Sequence, residues 1–378
     1  MRNAILFAPI CVGLLVGCGS SSPLSEKAVM TTPGWVGCVA VSPDGKQLAA
    51  GTHSIGMAPK DQWRGFIHIW DLATKKELHR IAADRWITCL AYSPDGKWLA
   101  IGTGISQDPP PNAPADFNKP GSIVVYCTSD YEQKASVRLD EGIVHALAFS
   151  PDSRTLAVLH GDYGGVTNRA VSVREAETLA VRHEFSKPQL GFAGLAISPD
   201  GKTLAVGDAI RSEGGILAGQ VQLFDTTTGI HQRTVTVQTN GGVTQIVFCP
   251  TGSECAVMTS TGFVRLWDPK TWKPLEETDS VGGSVVSKPG PMAYSPDGKR
   301  FATVGILQGR PSGTRFRLWD KPQPKPRELW IEDLFISCLA FARDGKTIVL
   351  GSANKPERAG TNDLGAVILY EIRDPPAK

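Results

Sequence analysis

The side chains in this chain that are capable of chemistry are few and scattered. Seven histidines and eight cysteines stand among 378 residues, with a formal net charge of +2. Catalytic and metal sites declare themselves by spacing: His-Glu-x-x-His on a helix, serine in a Gly-x-Ser-x-Gly turn, a glycine-rich phosphate loop, or closely spaced cysteines of zinc type. None of these spacings occurs. We therefore expect no catalytic residue, no metal ligand set and no cofactor. His145 and His160, the histidines read as nearest a central channel, are expected to be hydrogen-bonded structural residues. The near-neutral charge also argues against a uniform basic surface for nucleic acid.

One cysteine stands apart. Arg2 is followed by an apolar run from Ala4 to Gly17, which ends in Leu15-Val16-Gly17-Cys18. At roughly 14 residues the run is short for a spanning helix and suits a signal segment. Leu15-Val16-Gly17-Cys18 resembles the bacterial lipobox, and the resemblance implies cleavage before Cys18 and acylation of its thiol. Two or more acyl chains make membrane attachment stable where one is marginal. The division expected is a signal peptide over 1–17, a flexible tether over 18–27 and a folded domain over 28–378. Gly19 follows the cysteine where aspartate would retain an enterobacterial lipoprotein at the inner membrane. The address expected is the cell envelope, at the outer membrane or periplasmic face.

The other cysteines belong to a larger pattern. Ser42-Pro43-Asp44-Gly45-Lys46 returns, intact or worn, at Ser93, Ser150, Ser198, Cys249, Ser295 and Ala342, in steps of 51, 57, 48, 51, 46 and 47 residues. Proline presets φ, aspartate favours the next position and glycine takes the left-handed conformation, so each copy is a hairpin turn. Before it stand apolar runs such as Leu90-Ala91-Tyr92; after it come runs such as Leu99-Ala100-Ile101. A third strand, as in Ile67 to Asp71, and a fourth, as in Glu77 to Ile81, complete each unit. A period near fifty with four strands per unit predicts a propeller blade.

The third strands end in Trp70-Asp71, Trp267-Asp268 and Trp319-Asp320, and they resemble the WD-repeat β-propeller family. That resemblance implies an all-β fold of seven four-stranded antiparallel blades. It departs from the family in lacking the Gly-His pair and the aspartate before the third strand, so the buried Asp-His-Ser-Trp network is not expected. The last unit runs into Asp374-Pro375-Pro376 with no fourth strand; the residues around Lys27 to Thr31 are expected to supply it and close the ring. Cys38, Cys89 and Cys338 each precede their turn by four residues, as small buried residues of the innermost strands. Cys249 and Cys255 flank one turn, and a disulfide between them is possible in an oxidising compartment.

First-to-second turns are short in every unit, whereas the second-to-third connections carry inserts, among them Thr52 to Arg64, Thr103 to Gly121 and Asp208 to Gln220. The ring should therefore have one plain and one elaborated face, and the elaborated face is the binding candidate. It carries Trp63, Arg64, Arg85, Trp86, Arg211, Arg310, Arg315 and Arg358, residue types that dominate protein interfaces. Interleaved acidic residues again exclude a nucleic-acid partner. The function expected is a non-catalytic platform anchored to the bilayer through acylated Cys18 and binding a protein of the cell envelope. The alternatives are a propeller enzyme of hydrolase or lactonase type, with a site at the channel mouth, and a carbohydrate- or cell-wall-binding lipoprotein.

Overall fold

The computed structural model describes residues 22–53, 65–104, 120–161, 169–187, 194–212, 215–237, 241–278, 286–307, 313–321, 325–332, 334–353 and 365–374. Each turn word closes a hairpin, and the bonds within it explain its composition. Ser42 Oγ donates to Asp44 Oδ1 (2.6 Å) and accepts from the Gln47 amide (2.9 Å), while the Lys46 amide donates to the same carboxylate (3.0 Å). Gly45 completes the turn at φ 76°. The pattern recurs at Ser93 and Asp95, at 2.6 Å, and at Ser295 and Asp297, at 2.6 Å. In the third copy Ser153 replaces glycine at φ 61°, and its hydroxyl accepts the Asp95 amide of the neighbouring unit at 2.9 Å.

These hairpins organise seven four-stranded antiparallel sheets, which form a seven-bladed propeller. Six blades take their strands consecutively; the seventh pairs Leu24–Thr32 with Gly365–Ile372 as its outermost strand. The ring closes as the sequence predicts, and no exposed gap is left between first and last units. The closing strand starts earlier than Lys27, within the stretch read as tether, because Leu24 is buried in the core between blades 6 and 7. Seven hydrophobic clusters hold the ring, each shared by two adjacent blades.

The aspartates of the first two Trp-Asp pairs have a local role, whereas Asp320 pairs with Arg300 and Arg327. Asp71 Oδ1 accepts the Thr74 amide (2.6 Å) and hydroxyl (2.8 Å), and Asp268 Oδ1 accepts the amides of Lys270 (2.8 Å) and Thr271 (3.1 Å). They fold the third-to-fourth turn. Trp70, Trp267 and Trp319 are buried, and Trp267 Nε1 has no hydrogen-bond partner among the described residues.

The cysteine trio sits in a repeated joint. In blades 7, 1 and 2 the pairing of first and second strands slips at Ile336/Cys338, Val36/Cys38 and Ile87/Cys89. A glycine on the second strand then lets the next blade press in. A Cβ on Gly102 would lie 2.6 Å from both Cys89 Sγ and Val144 Cβ, and one on Gly51 would lie 2.6 Å from Cys38 Sγ and 2.7 Å from Ile87 Cβ. Hydroxyls of the slipped residues stitch the joint: Thr88 Oγ1 donates to Val144 O at 2.6 Å, and Ser337 Oγ reaches Val36 O. Burial pushes the Cys89 and Cys338 thiols up to about 12 and raises Cys38 as well. All three are packing residues held as neutral thiols.

Two expectations are corrected. Cys249 and Cys255 are free thiols. They lie on opposite faces of their blade: Cys249 packs toward blade 6 and Cys255 toward blade 4, in separate clusters. The insert from Asp208 to Gln220 is largely strand. Thr203–Ser212 and Gly215–Asp225 stay paired through Asp208↔Gln220 to Ser212↔Gly215, with one register shift at Ile210/Arg211, so blade 4 rises as a long hairpin. Buried Asp208, which accepts from Gln222 Nε2 and the Ala209 amide (2.7 Å), braces its base.

Candidate interaction surface on the loop face

The first strand of each blade starts on the loop face and ends at its plain-face turn. Seven residues before the turn word stand Trp35 in blade 1, Trp86 in blade 2 and Phe335 in blade 7, each opening its innermost strand. These three blades are neighbours across the closed ring. All three side chains are half-buried, as is His53, which ends the second strand of blade 1. The His53 ring lies between two indoles, 6.2 Å and edge-on to Trp35 and 5.1 Å from Trp86 at 32°. Gly37 makes room, since a Cβ there would come within 3.2 Å of the imidazole.

The His53 imidazole adds no charge to this arc. Burial lowers the His53 pKa to about 4, so the imidazole is uncharged near neutrality. Trp86 Nε1 is buried and has no hydrogen-bond partner among the described residues. Flat aromatic area with few rotors, half open at a channel rim, is the chemistry of an anchor for a partner.

Of the residues singled out from sequence, the arc contains one, Trp86. Arg85 is placed differently from expectation: its side chain is only 3% exposed. The fourth-to-first connection folds it beneath the surface, where its carbonyl accepts the Gly65 amide at 3.1 Å. It braces the blade 1 to blade 2 crossing and offers no contact area. Arg315 is half-buried on blade 6, in register with Trp330, and stands apart from the arc. Arg211 lies in the blade 4 hairpin, and its side chain is outside the described residues. Trp63, Arg64, Arg310, Arg358 and Cys18 also lie outside them.

Trp35, His53 and Phe335 escaped the sequence reading, although a signal existed for two. Trp35, Trp86 and Phe335 share one offset from the turn word, which repeat alignment would have exposed. His53 had none, since only cross-strand pairing with Trp35 brings it to the rim. Of the two histidines placed near the channel, His145 is half-buried on the innermost strand of blade 3. His160 lies 3.8 Å from Glu184, with its pKa lowered chiefly by burial. Among the described residues no group of three or more His, Cys, Asp or Glu side chains could hold a metal ion. No helix among them is long and apolar enough to cross a membrane.

Comparison with known proteins agrees with this architecture. The sequence profile of "WD domain, G-beta repeat" matches residues 26–71 and 75–108. The chain is similar to small ribosomal subunit protein RACK1z of rice, 35% identical over 108 residues, which are 25% of this chain and 28% of that protein. It is also similar to an uncharacterized WD repeat-containing protein of Synechocystis, 29% identical over 204 residues, 53% of each chain. The chain thus spans about half or less of the length of these relatives. A chain from the crystal structure of the mitotic checkpoint complex superposes with a TM-score of 0.66 over 99% of both chains at 15% identity, a likeness of fold alone. The chain carries WD40 repeats in a seven-bladed propeller.

Proposed function

We propose that this protein is a non-catalytic binding platform, held to a membrane of the cell envelope by acylated Cys18, and that it docks a protein partner on the loop-face rim of blades 7, 1 and 2. The observation that carries the reading is the half-exposed arc of Trp35, His53 and Trp86 on a rigid ring. Its area is aromatic and pre-ordered, so a partner loses little freedom in using it. Support for the anchor comes from Leu15-Val16-Gly17-Cys18 after the apolar run.

Mass spectrometry of crosslinked complexes from membranes tests both parts. The intact protein is expected to carry a stoichiometric partner, and the Trp35→Ala/Trp86→Ala form to lose it while keeping its Tm within a few degrees. A Cys18→Ser form is expected in the soluble fraction. Recovery of the same partner by the double variant would move the site off the arc, and retention on purified cell-wall glycan through the arc would replace a protein ligand by a carbohydrate.

A further inference from the structure

Both ends of the described chain leave the ring on the same side. The closing strand, Leu24–Thr32, is the fourth strand of blade 7 and runs from the plain face to the loop face, so Leu24 enters beside the hairpin turns. Three contacts fasten this corner. The Arg373 amide donates to Pro23 O at 2.9 Å, Arg327 Nη1 donates to Arg373 O, and Arg300 Nη2 reaches Asp374 Oδ1 at 3.1 Å. Arg300 also donates to Gly345 O (2.8 Å) in the blade 7 turn and to Asp320 (2.9 Å) in blade 6. The first residues of the domain are thereby locked to two blades at the plain face.

Cys18 precedes this corner by a few residues only. From Cys18 to Leu24 is six residue steps, and a fully extended chain covers at most about 20 Å over that length. A seven-residue strand spans roughly 23 Å from plain to loop face, so the acylated residue cannot reach around the rim to set the loop face on the bilayer.

We infer that the plain face is held against the lipid headgroups and the loop face is presented away from the membrane, an inference that rests on the acylation of Cys18 proposed above. The occupant of the plain face is the bilayer to which the chain is itself anchored. The surface there suits it. First-to-second turns are short in every blade, and six of them carry an exposed cation, Lys46, Lys97, Arg154, Lys202, Lys299 and Lys346. The neighbouring aspartates are tied to serine hydroxyls and amides and are less exposed than the cations beside them: the Lys46 and Lys97 side chains are 78% and 72% exposed, those of Asp44 and Asp95 53% and 36%. The cationic groups therefore reach farther from the ring than the carboxylates beside them, toward anionic headgroups. The aromatic arc, at the far ends of the innermost strands, then faces a partner from the open compartment.

The test uses the full acylated chain in phosphatidylethanolamine and phosphatidylglycerol vesicles containing a headgroup-nitroxide lipid. A fluorescent amino acid replaces Lys97 or Lys346 on the plain face, or Phe263 in the second-to-third turn of blade 5, where the side chain is 40% exposed. The expected result is loss of emission at positions 97 and 346 and unchanged emission at 263. Equal quenching at all three positions, or quenching at 263 alone, overturns the orientation while leaving the anchor intact. Mass spectrometry and flotation of the same preparations separate the two readings. A Cys18 without acyl chains, or a Cys18→Ser form that still floats, removes the anchor and the orientation with it.

Discussion

On the plain face, one hydrogen-bond pattern closes hairpin after hairpin; on the loop face, the blades end in different ways. Five of the turns join a serine hydroxyl to an aspartate two residues on, at 2.5–2.6 Å. At the opposite rim stand a tryptophan in blades 1 and 2, a phenylalanine in blade 7 and a long hairpin in blade 4. A repeated pattern is what a closed ring needs, because every blade must meet its neighbours at the same angle. Departure from the repeat is what a partner can recognise. The difference places scaffold at one end of the strands and candidate function at the other.

The largest effect is expected where neither face is involved, at the joint between them. Gly102→Val forces side-chain atoms into space held by Cys89 and Val144, and overpacking of this kind costs about 3 kcal/mol. The check is Tm, with Gly102→Ala/Val144→Ala as the compensating variant that should recover part of the loss. A Gly102→Val protein with unchanged Tm would mean that the blades are not locked at this joint, and the contrast between the two faces would lose its rigid frame.

Acid should separate the faces into two pH windows. Burial holds the His53 pKa at about 4 in the folded state, below the ordinary 6.5, so the unfolded chain takes up the proton first. Stability from His53 is complete above about pH 6.5, declines as pH falls toward 4 and is level below that. His53→Phe should flatten this decline by up to about 3 kcal/mol. On the plain face the sign is the same but the window is lower. Asp44, Asp152 and Asp200 are held below the ordinary carboxylate value, first of all by the serine hydroxyl. Their contribution is present above about pH 4 and is lost as pH falls through their depressed values. Thermal unfolding from pH 8 to pH 3 for wild type and His53→Phe would show whether the two steps are distinct.

Ser93→Ala removes the hydroxyl that donates to Asp95 and accepts the Trp98 amide at 2.9 Å. A lost pair of bonds at a partly buried turn costs about 1–2 kcal/mol, to be read as a lowered Tm with partner binding intact. Loss of binding with little change in Tm would couple the plain face to the site and dissolve the division argued above.

What the sequence made legible follows the same division. Turn word, strand alternation and the missing fourth strand recur or are conspicuously absent, so the seven blades and the ring closure could be read directly. Arg85 could not be read, because burial at a blade crossing depends on Gly65 of the preceding blade, and no local pattern records that contact. His53 was invisible for the same reason. The blade 4 hairpin reads as a loop in the sequence because glycine interrupts its apolar pattern at Gly214, Gly215 and Gly219, although strand pairing continues, with one shift, from Thr203 to Ser212.

Blade 5 offers the finest test of whether the repeated turn is energetic or merely inherited. Its word is Cys249-Pro250-Thr251-Gly252-Ser253, and a Cys249 Sγ to Thr251 Oγ1 contact of 3.1 Å stands where other blades place hydroxyl and carboxylate. The turn keeps its backbone frame, with Gly252 at φ 73° and its amide on Cys249 O at 2.8 Å. Sulfur is a weak partner in such a bond. Cys249→Ser with Thr251→Asp would therefore restore a charge-assisted bond without altering the backbone, and a gain of about 0.5–1 kcal/mol is expected. The opposing term is the buried position of Cys249, 1% exposed in the cluster with Tyr294 and Trp319, where a hydroxyl packs less well than a thiol. If Tm rises by about 1–2 °C, the hydrogen-bond pattern itself stabilises each blade and its repetition is physical. If Tm falls, the apolar contact of Cys249 outweighs the turn bond, and blade 5 is adapted to its neighbour rather than worn.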